Sequence, residues 1–301
     1  MLPLPRFDYA APTTLAEAVR LAAEPGAKLV SGGTDLLPSM KHRLFQPRLL
    51  VSTRRIQALR EPSPGRLGAG LSLRDVSQLA WVNTTYPALA AACRTVATPT
   101  IQAMGTLGGN LALDTRCVYY NQPAGWRVAL GGCLKCEGSL CHVAPRGKGC
   151  YAAHSADTVP ALWLYGARVE VAGPGEQRTL DVSAMYQTDA LLGMVLEPGE
   201  VVVAVNLPAA PPPVIHRKLR LRGAIDYAQL LVAVARVPGG YRAVVSAVGP
   251  RPVLVEAQSL PALVDAAHAA VQPLATHHSA VTWRKKMVRV EVARAGAMLP
   301  A

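Results

Sequence analysis

The sequence predicts an α+β protein in two parts: a cofactor-binding scaffold carrying a cysteine-rich insertion, then a C-terminal domain of antiparallel sheet with helices. Three observations predict it. Short strand and helix patterns alternate without internal repeat. Two glycine pairs, Gly32-Gly33 and Gly108-Gly109, adjoin such patterns, and five of the six cysteines crowd between Asp114 and Asp157. The proline-rich stretch 208–213 reads as a linker. The expected first domain spans 1–213, with subdomains of about 1–55 and 56–213 and the cysteine insertion at 114–156; the expected second domain spans 214–301.

With 301 residues, half of them apolar, the chain has material for a core in each part. Lys and Arg exceed Asp and Glu by 12, a balance that suits an anionic cofactor, an acidic protein partner or nucleic acid. The basic clusters at His216–Arg222 and Arg284–Lys286 lack interleaved aromatics and the chain has only two Phe, so nucleic acid is not expected. The start, MLPLPRFDYA, lacks signal-peptide architecture, and apolar runs such as Val201–Val205 are too short to span a bilayer. No membrane partner is expected, and the expected location is the cytoplasm, where thiols stay reduced.

Residues 13–23 read as a helix, with Thr14 and Glu17 as a capping box and Leu15, Ala18, Val19 and Ala22 as its apolar stripe. Ala27–Ser31 reads as a buried strand running into Gly32-Gly33-Thr34-Asp35 and a helix over Leu36–Lys41. Strand, glycine pair and helix start make a phosphate cradle, because glycine lets backbone N–H groups approach an anion. Residues 72–80 and 84–96 read as helices, with Cys93 an inert core thiol. Gly108-Gly109-Asn110 reads as a second turn, so that two glycine turns flank one diphosphate. Downstream, Thr158–Leu164 reads as a helical turn capped by Asp157, and Arg168–Ala172, Val201–Leu207 and Arg242–Val248 as strands. His216–Arg222 reads as an exposed strand, and residues 260–271 and 281–298 as helices.

The cysteines follow C-x15-C-x7-C-x8-C at Cys117, Cys133, Cys141 and Cys150, with Cys136 beside them. Reduced thiols this dense suit a metal or cluster better than disulfides. A structural zinc site prefers two C-x2-C knuckles, and only Cys133-x2-Cys136 is present. An iron–sulfur cluster tolerates wider spacing, since each thiolate takes a different corner of a larger object. Cys136 is either spare or a replacement for Cys133. Tyr119, Tyr120 and Trp126 either shield the site or pack the segment down, and His142 reads as a surface hydrogen-bonder.

Several of these stretches, taken in order, resemble the flavoprotein subunits of the molybdenum hydroxylase family. They are Leu29-Val30-Ser31-Gly32-Gly33-Thr34-Asp35-Leu36, Gly105-Thr106-Leu107-Gly108-Gly109-Asn110, Asp157, Leu196-Glu197-Pro198-Gly199-Glu200, and Lys218-x3-Arg222-x3-Asp226. The resemblance implies FAD, with contacts from Leu29, Val30, Ser31, Gly32, Gly33, Thr34, Asp35, Leu36, Ile101, Thr106, Leu107, Gly108, Gly109, Asn110, Asp157 and Lys218. Asn110 and Asp157 stand 47 positions apart, where ordinary members have a short connection. The excess is similar to the insertion of 4-hydroxybenzoyl-CoA reductase beta subunits, a branch of that family. It implies a 4Fe–4S cluster on Cys117, Cys133, Cys141 and Cys150. The same resemblance implies a molybdenum-cofactor large subunit, a 2Fe–2S small subunit and ferredoxin as electron donor. No residue is expected to act as acid, base or nucleophile.

Overall fold

A three-stranded parallel sheet opens the chain in this computed structural model, which describes residues 2–300. Its strands are β1 (Asp8–Ala10), β2 (Ala27–Val30) and β3 (Leu49–Ser52), in the order β1-β3-β2. Helix α1 (Leu15–Ala22) starts where the Thr14 hydroxyl accepts the Glu17 N–H at 3.2 Å, and Ala18 and Val19 pack against Leu49 and Val51. β2 runs into the glycine loop 31–35 and α2 (Leu36–Lys41), which puts the loop at the carboxyl end of a parallel strand, where such sheets bind ligands. Of β2 only Val30 is fully buried, so this strand is half-covered rather than buried.

The middle of the chain combines a helical cluster with an antiparallel sheet. β4 (Pro62–Ser63) and β5 (Arg66–Gly68) precede α3 (Leu73–Gln78), α4 (Ala80–Thr85), α5 (Pro87–Thr95), α6 (Pro99–Met104) and α7 (Leu107–Leu111). The helix expected over 84–96 is broken at Tyr86 because Pro87 opens α5, and a residue before proline avoids helical conformation. The cysteine segment is mostly turns, with one helix, α8 (Ala124–Leu130). Then come α9 (Val159–Leu164), β6 (Arg168–Ala172), β7 (Arg178–Asp181) and β8 (Val201–Asn206), giving a sheet of order β4-β5-β8-β6-β7.

Past residues 208–213, which form no helix or strand, lie β9 (Val214–Leu219), β10 (Leu230–Val237), β11 (Gly240–Ser246) and β12 (Val253–Ala257), then α10 (Leu260–Ala270) and α11 (Val281–Ala297). The sheet is antiparallel, of order β12-β11-β10-β9. Leu230, Val232 and Val234 of β10 face α10 and α11, while Ala233 and Ala235 join the core of the middle part. Burial on both faces removes the alternation by which a half-exposed strand is recognised, and β10 has no period-two signal for that reason. β9 departs from the expected exposed strand: the Lys218 side chain is only 3 % exposed. Buried Arg284 of α11 staples the domain, donating to the carbonyls of Gln229 at 3.0 Å, Leu274 at 2.9 Å and Ala247. Among the described residues no helix is long and apolar enough to cross a membrane.

Two buried histidines give the fold an acid-sensitive margin. Nε2 of His154 and both ring nitrogens of His216 are shut off from solvent without a partner among the described residues, and burial pushes both imidazoles down to about 3. In the unfolded chain each titrates near its ordinary 6.5. As pH falls below that value the unfolded state takes up protons that the native state refuses, so stability is lost, by up to about 1.4 kcal/mol per pH unit for each histidine. His216→Leu is expected to leave stability at pH 7 level or higher and to flatten the dependence by one proton. Urea denaturation at pH 6.5, 5.5 and 4.5 checks this, and an unchanged slope contradicts it.

Candidate functional site

A cavity of about 830 Å³ lies where the three sheets meet. One wall is the loop from Lys28 through Ser39, held close to the next wall because Gly32 has no side chain. A Cβ there would stand 1.8 Å from the Met104 carbonyl oxygen. Gly33 follows at φ +69°, a conformation that favours glycine. The N–H groups of Gly32, Gly33, Thr34 and Asp35 donate to no acceptor among the described residues. Four consecutive free amides beside a cavity form an anion cradle. Asp35 leaves its helix uncapped and instead accepts from Arg116 and, at 3.2 Å, from the Tyr227 hydroxyl.

The second glycine pair differs from the expected turn. Gly108 and Gly109 lie inside α7, whose N-cap Thr106 accepts the Gly109 N–H at 3.1 Å. The amides of Leu107 and Gly108 donate to Leu71 and Ala69, and that of Asn110 to Thr106, so among the described residues the donors left free here are the Thr106 N–H and the side chains of Thr106 and Asn110. Its glycine instead permits close packing: a Cβ on Gly108 would meet Ala69 at 2.7 Å. Leu29, Val30, Ser31, Gly32, Gly33, Thr34, Asp35, Leu36, Ile101, Thr106, Gly108, Gly109, Asn110, Asp157 and Lys218 all line the cavity; Leu107, fully buried in the core, does not. Lys28, Asp114, Thr115, His154 and Tyr227 line it as well and were not foreseen. Tyr227 had one available signal, its place directly after the Lys218-x3-Arg222-x3-Asp226 pattern.

A second, smaller pocket is lined by Cys117, Cys133, Cys141 and Cys150, each 8 % exposed, with Tyr119, Tyr120, Lys135 and His142. Cys136 does not line it; its half-buried thiol lies beside Arg127, and burial pushes it up. Cys133 and Cys136 exchange backbone hydrogen bonds at 2.9 and 2.8 Å, and of the two only Cys133 lines the pocket. Asp189 fixes Cys150 by accepting its N–H at 2.9 Å. His142 Nε2 lies 2.6 Å from the Gly132 carbonyl, and its ring stacks on Tyr119. Trp126 is exposed, so it does not seal the pocket. Among the described residues no group of three His, Cys, Asp or Glu side chains is set to hold a single metal ion.

Asp157 does not cap α9; its N-cap is Thr158, whose N–H donates to Asn110 Oδ1 at 3.1 Å. The Asp157 carboxylate instead meets Lys218 Nζ at 2.6 Å, with side chains 8 % and 3 % exposed. Burial pushes the Asp157 carboxyl up, and Lys218, Thr95 and Arg220 pull it back. Arg222 sits outside the pair, 67 % exposed beside Asp226. Removing one partner of a buried pair leaves an uncompensated charge. Lys218→Met is therefore expected to lower stability by about 3–5 kcal/mol, and adding Asp157→Asn to restore part of the loss. A double-mutant cycle followed by thermal unfolding measures this; equal stability of Lys218→Met and wild type contradicts it.

Comparison with known proteins places the chain in a family. A family model described as "FAD binding domain in molybdopterin dehydrogenase" matches residues 5–210. The aldehyde oxidoreductase FAD-binding subunit of Escherichia coli K12 is 31 % identical, covering 97 % of this chain and 98 % of that protein. The carbon monoxide dehydrogenase medium chain of Afipia carboxidovorans is 27 % identical over 81 % of this chain and 73 % of its own length. Among solved structures, a Cu,Mo-CO dehydrogenase chain superposes with a TM-score of 0.77 at 25 % identity, covering 98 % of both chains. A quinoline 2-oxidoreductase chain from Pseudomonas putida 86 shares the fold, with a TM-score of 0.76 at 22 % identity over 97 % of this chain and 96 % of that one. The chain belongs to the FAD-binding subunits of the molybdenum hydroxylase family, the medium chains of xanthine, carbon monoxide and aldehyde oxidoreductases.

Proposed function

We propose that this oxidoreductase subunit holds FAD in the large cavity and a 4Fe–4S cluster on Cys117, Cys133, Cys141 and Cys150, and relays electrons between a molybdenum-bearing partner and an outside carrier. The observation that carries the flavin half is the run of free amides from Gly32 to Asp35 at the cavity wall. The cluster half is supported by four reduced thiols around one pocket without the tight convergence a single ion needs. When bound, FAD exchanges electrons singly or in pairs and the cluster singly, so together they join one-electron to two-electron chemistry.

The chain's own residues bind and shield. Gly32–Asp35 hold the diphosphate, Asp157 and Lys218 fix the far end of the cavity, and Tyr119 and Tyr120 keep water from the cysteine pocket. The substrate site belongs to the molybdenum-cofactor large subunit, with a 2Fe–2S small subunit completing the complex in the cytoplasm. The cysteine spacing favours 4-hydroxybenzoyl-CoA reductase, in which electrons enter from ferredoxin and the phenolic hydroxyl is removed. The end-to-end similarity to an aldehyde oxidoreductase subunit favours a second reading, aldehyde oxidation with electrons leaving through this chain. The net charge of +12 suits an acidic carrier in either direction.

Anaerobic purification with flavin, iron and sulfide quantitation tests the proposal. One FAD and one cluster per chain are expected. Cys133→Ser is expected to lose iron and keep flavin, Cys136→Ser to keep both, and Gly32→Ala to lose flavin and keep iron. Colourless protein rejects the proposal. Assay of the whole complex with 4-hydroxybenzoyl-CoA and with aromatic aldehydes decides between the substrates.

A further inference from the structure

Between the two pockets stand two ion pairs that point the same way. Asp114 accepts from Lys135 Nζ at 2.6 Å, with side chains 25 % and 10 % exposed, and Asp35 accepts from Arg116. Both carboxylates line the large cavity, and neither cation does. The cations lie on the other side, over the ring of Tyr120: Lys135 Nζ is 4.8 Å from its centroid and the Arg116 guanidinium 6.0 Å. Tyr120 and Lys135 in turn line the cysteine pocket. Lys135 also donates to the Thr115 carbonyl at 3.2 Å and to its hydroxyl, which fixes the ammonium in place. Lys135 and Cys150 line the same pocket. Two groups work against these pairs: Lys28, a buried cation on the cavity side beside Asp114 and Asp35, and Asp189, whose carboxylate accepts the Cys150 N–H at 2.9 Å.

Resting on the assignment of FAD and a cluster to these pockets, we propose that the parallel pairs Asp114–Lys135 and Asp35–Arg116 form an oriented dipole layer that makes the cysteine pocket the better resting place for an electron. Added negative charge is stabilised beside the cations and destabilised beside the carboxylates, and a low-dielectric wall keeps that difference from being screened. The potential at the cysteine pocket is raised relative to that at the large cavity. Electrons then drain from flavin toward the cysteines, the direction of the oxidative reading.

The test is a redox titration of the anaerobic holoprotein, following iron–sulfur and flavin signals separately. In wild type the cysteine-bound group is expected to take up electrons before the flavin; the reverse order overturns the proposal. In Lys135→Met/Asp114→Asn the gap between the two midpoints is expected to narrow, with Lys135→Arg keeping it. Lys135→Gln retains a donor for Thr115 and is expected to narrow the gap as well, which covers a segment that fails to fold with methionine. A gap unchanged in variants that keep full iron and flavin overturns the proposal. Wild-type protein without iron would instead remove the cluster assignment beneath it.

Discussion

The Lys218–Asp157 pair, 2.6 Å apart and sealed from solvent, is the contact on which the arrangement depends. Lys218 belongs to β9 and Asp157 to the chain entering α9, so the pair ties the C-terminal sheet to the middle part at the cavity. Lys218 also donates to the Thr95 carbonyl at 3.0 Å, and Arg220 to the same atom at 3.2 Å. Three charged groups thus converge on the end of α5. Such a pair contributes little net stability after desolvation; what it supplies is register. Sliding β9 by one residue would turn Lys218 away from Asp157 and strand both charges, so the sheet has one acceptable position.

Much of this was legible in local chemistry. The Thr14 cap, the helix over Leu36–Lys41 and strands β6 and β8 follow from patterns within a few residues, and the structure contains them where those patterns fall. The glycine loop was legible too, because the need for close backbone approach marks itself with Gly32-Gly33. The missed features depend on distant neighbours. β10 lacks alternation because other elements cover both its faces. Gly108-Gly109 looks like a turn in sequence but packs a helix against Ala69, and nothing local separates those uses. Lys218 carries every sign of an exposed strand residue until Asp157 is brought beside it.

The cysteine segment shows the opposite balance between sequence and fold. It has almost no secondary structure, yet it is anchored by polar contacts more than by a core. Arg127, 1 % exposed, donates to the carbonyls of Gln122 and of His42, linking the segment to the end of α2. Lys135 links it to Asp114 and Thr115, and Asp189 holds Cys150 from a loop outside it. Charged hydrogen bonds to backbone carbonyls define geometry without requiring a helix or strand to nucleate.

The carboxylates described at the cavity wall are committed to partners. Asp35, Asp114 and Asp157 are each engaged by a cation, and His154 is buried in its neutral form against Tyr186. A general acid or base needs a proton that moves near working pH and a path to substrate. Paired carboxylates and sealed imidazoles offer neither. The pairs Asp114–Lys135 and Asp35–Arg116 do supply fixed charge between the two pockets. Fixed charge adjusts how tightly an electron is held and leaves bond chemistry to whatever site the electrons serve.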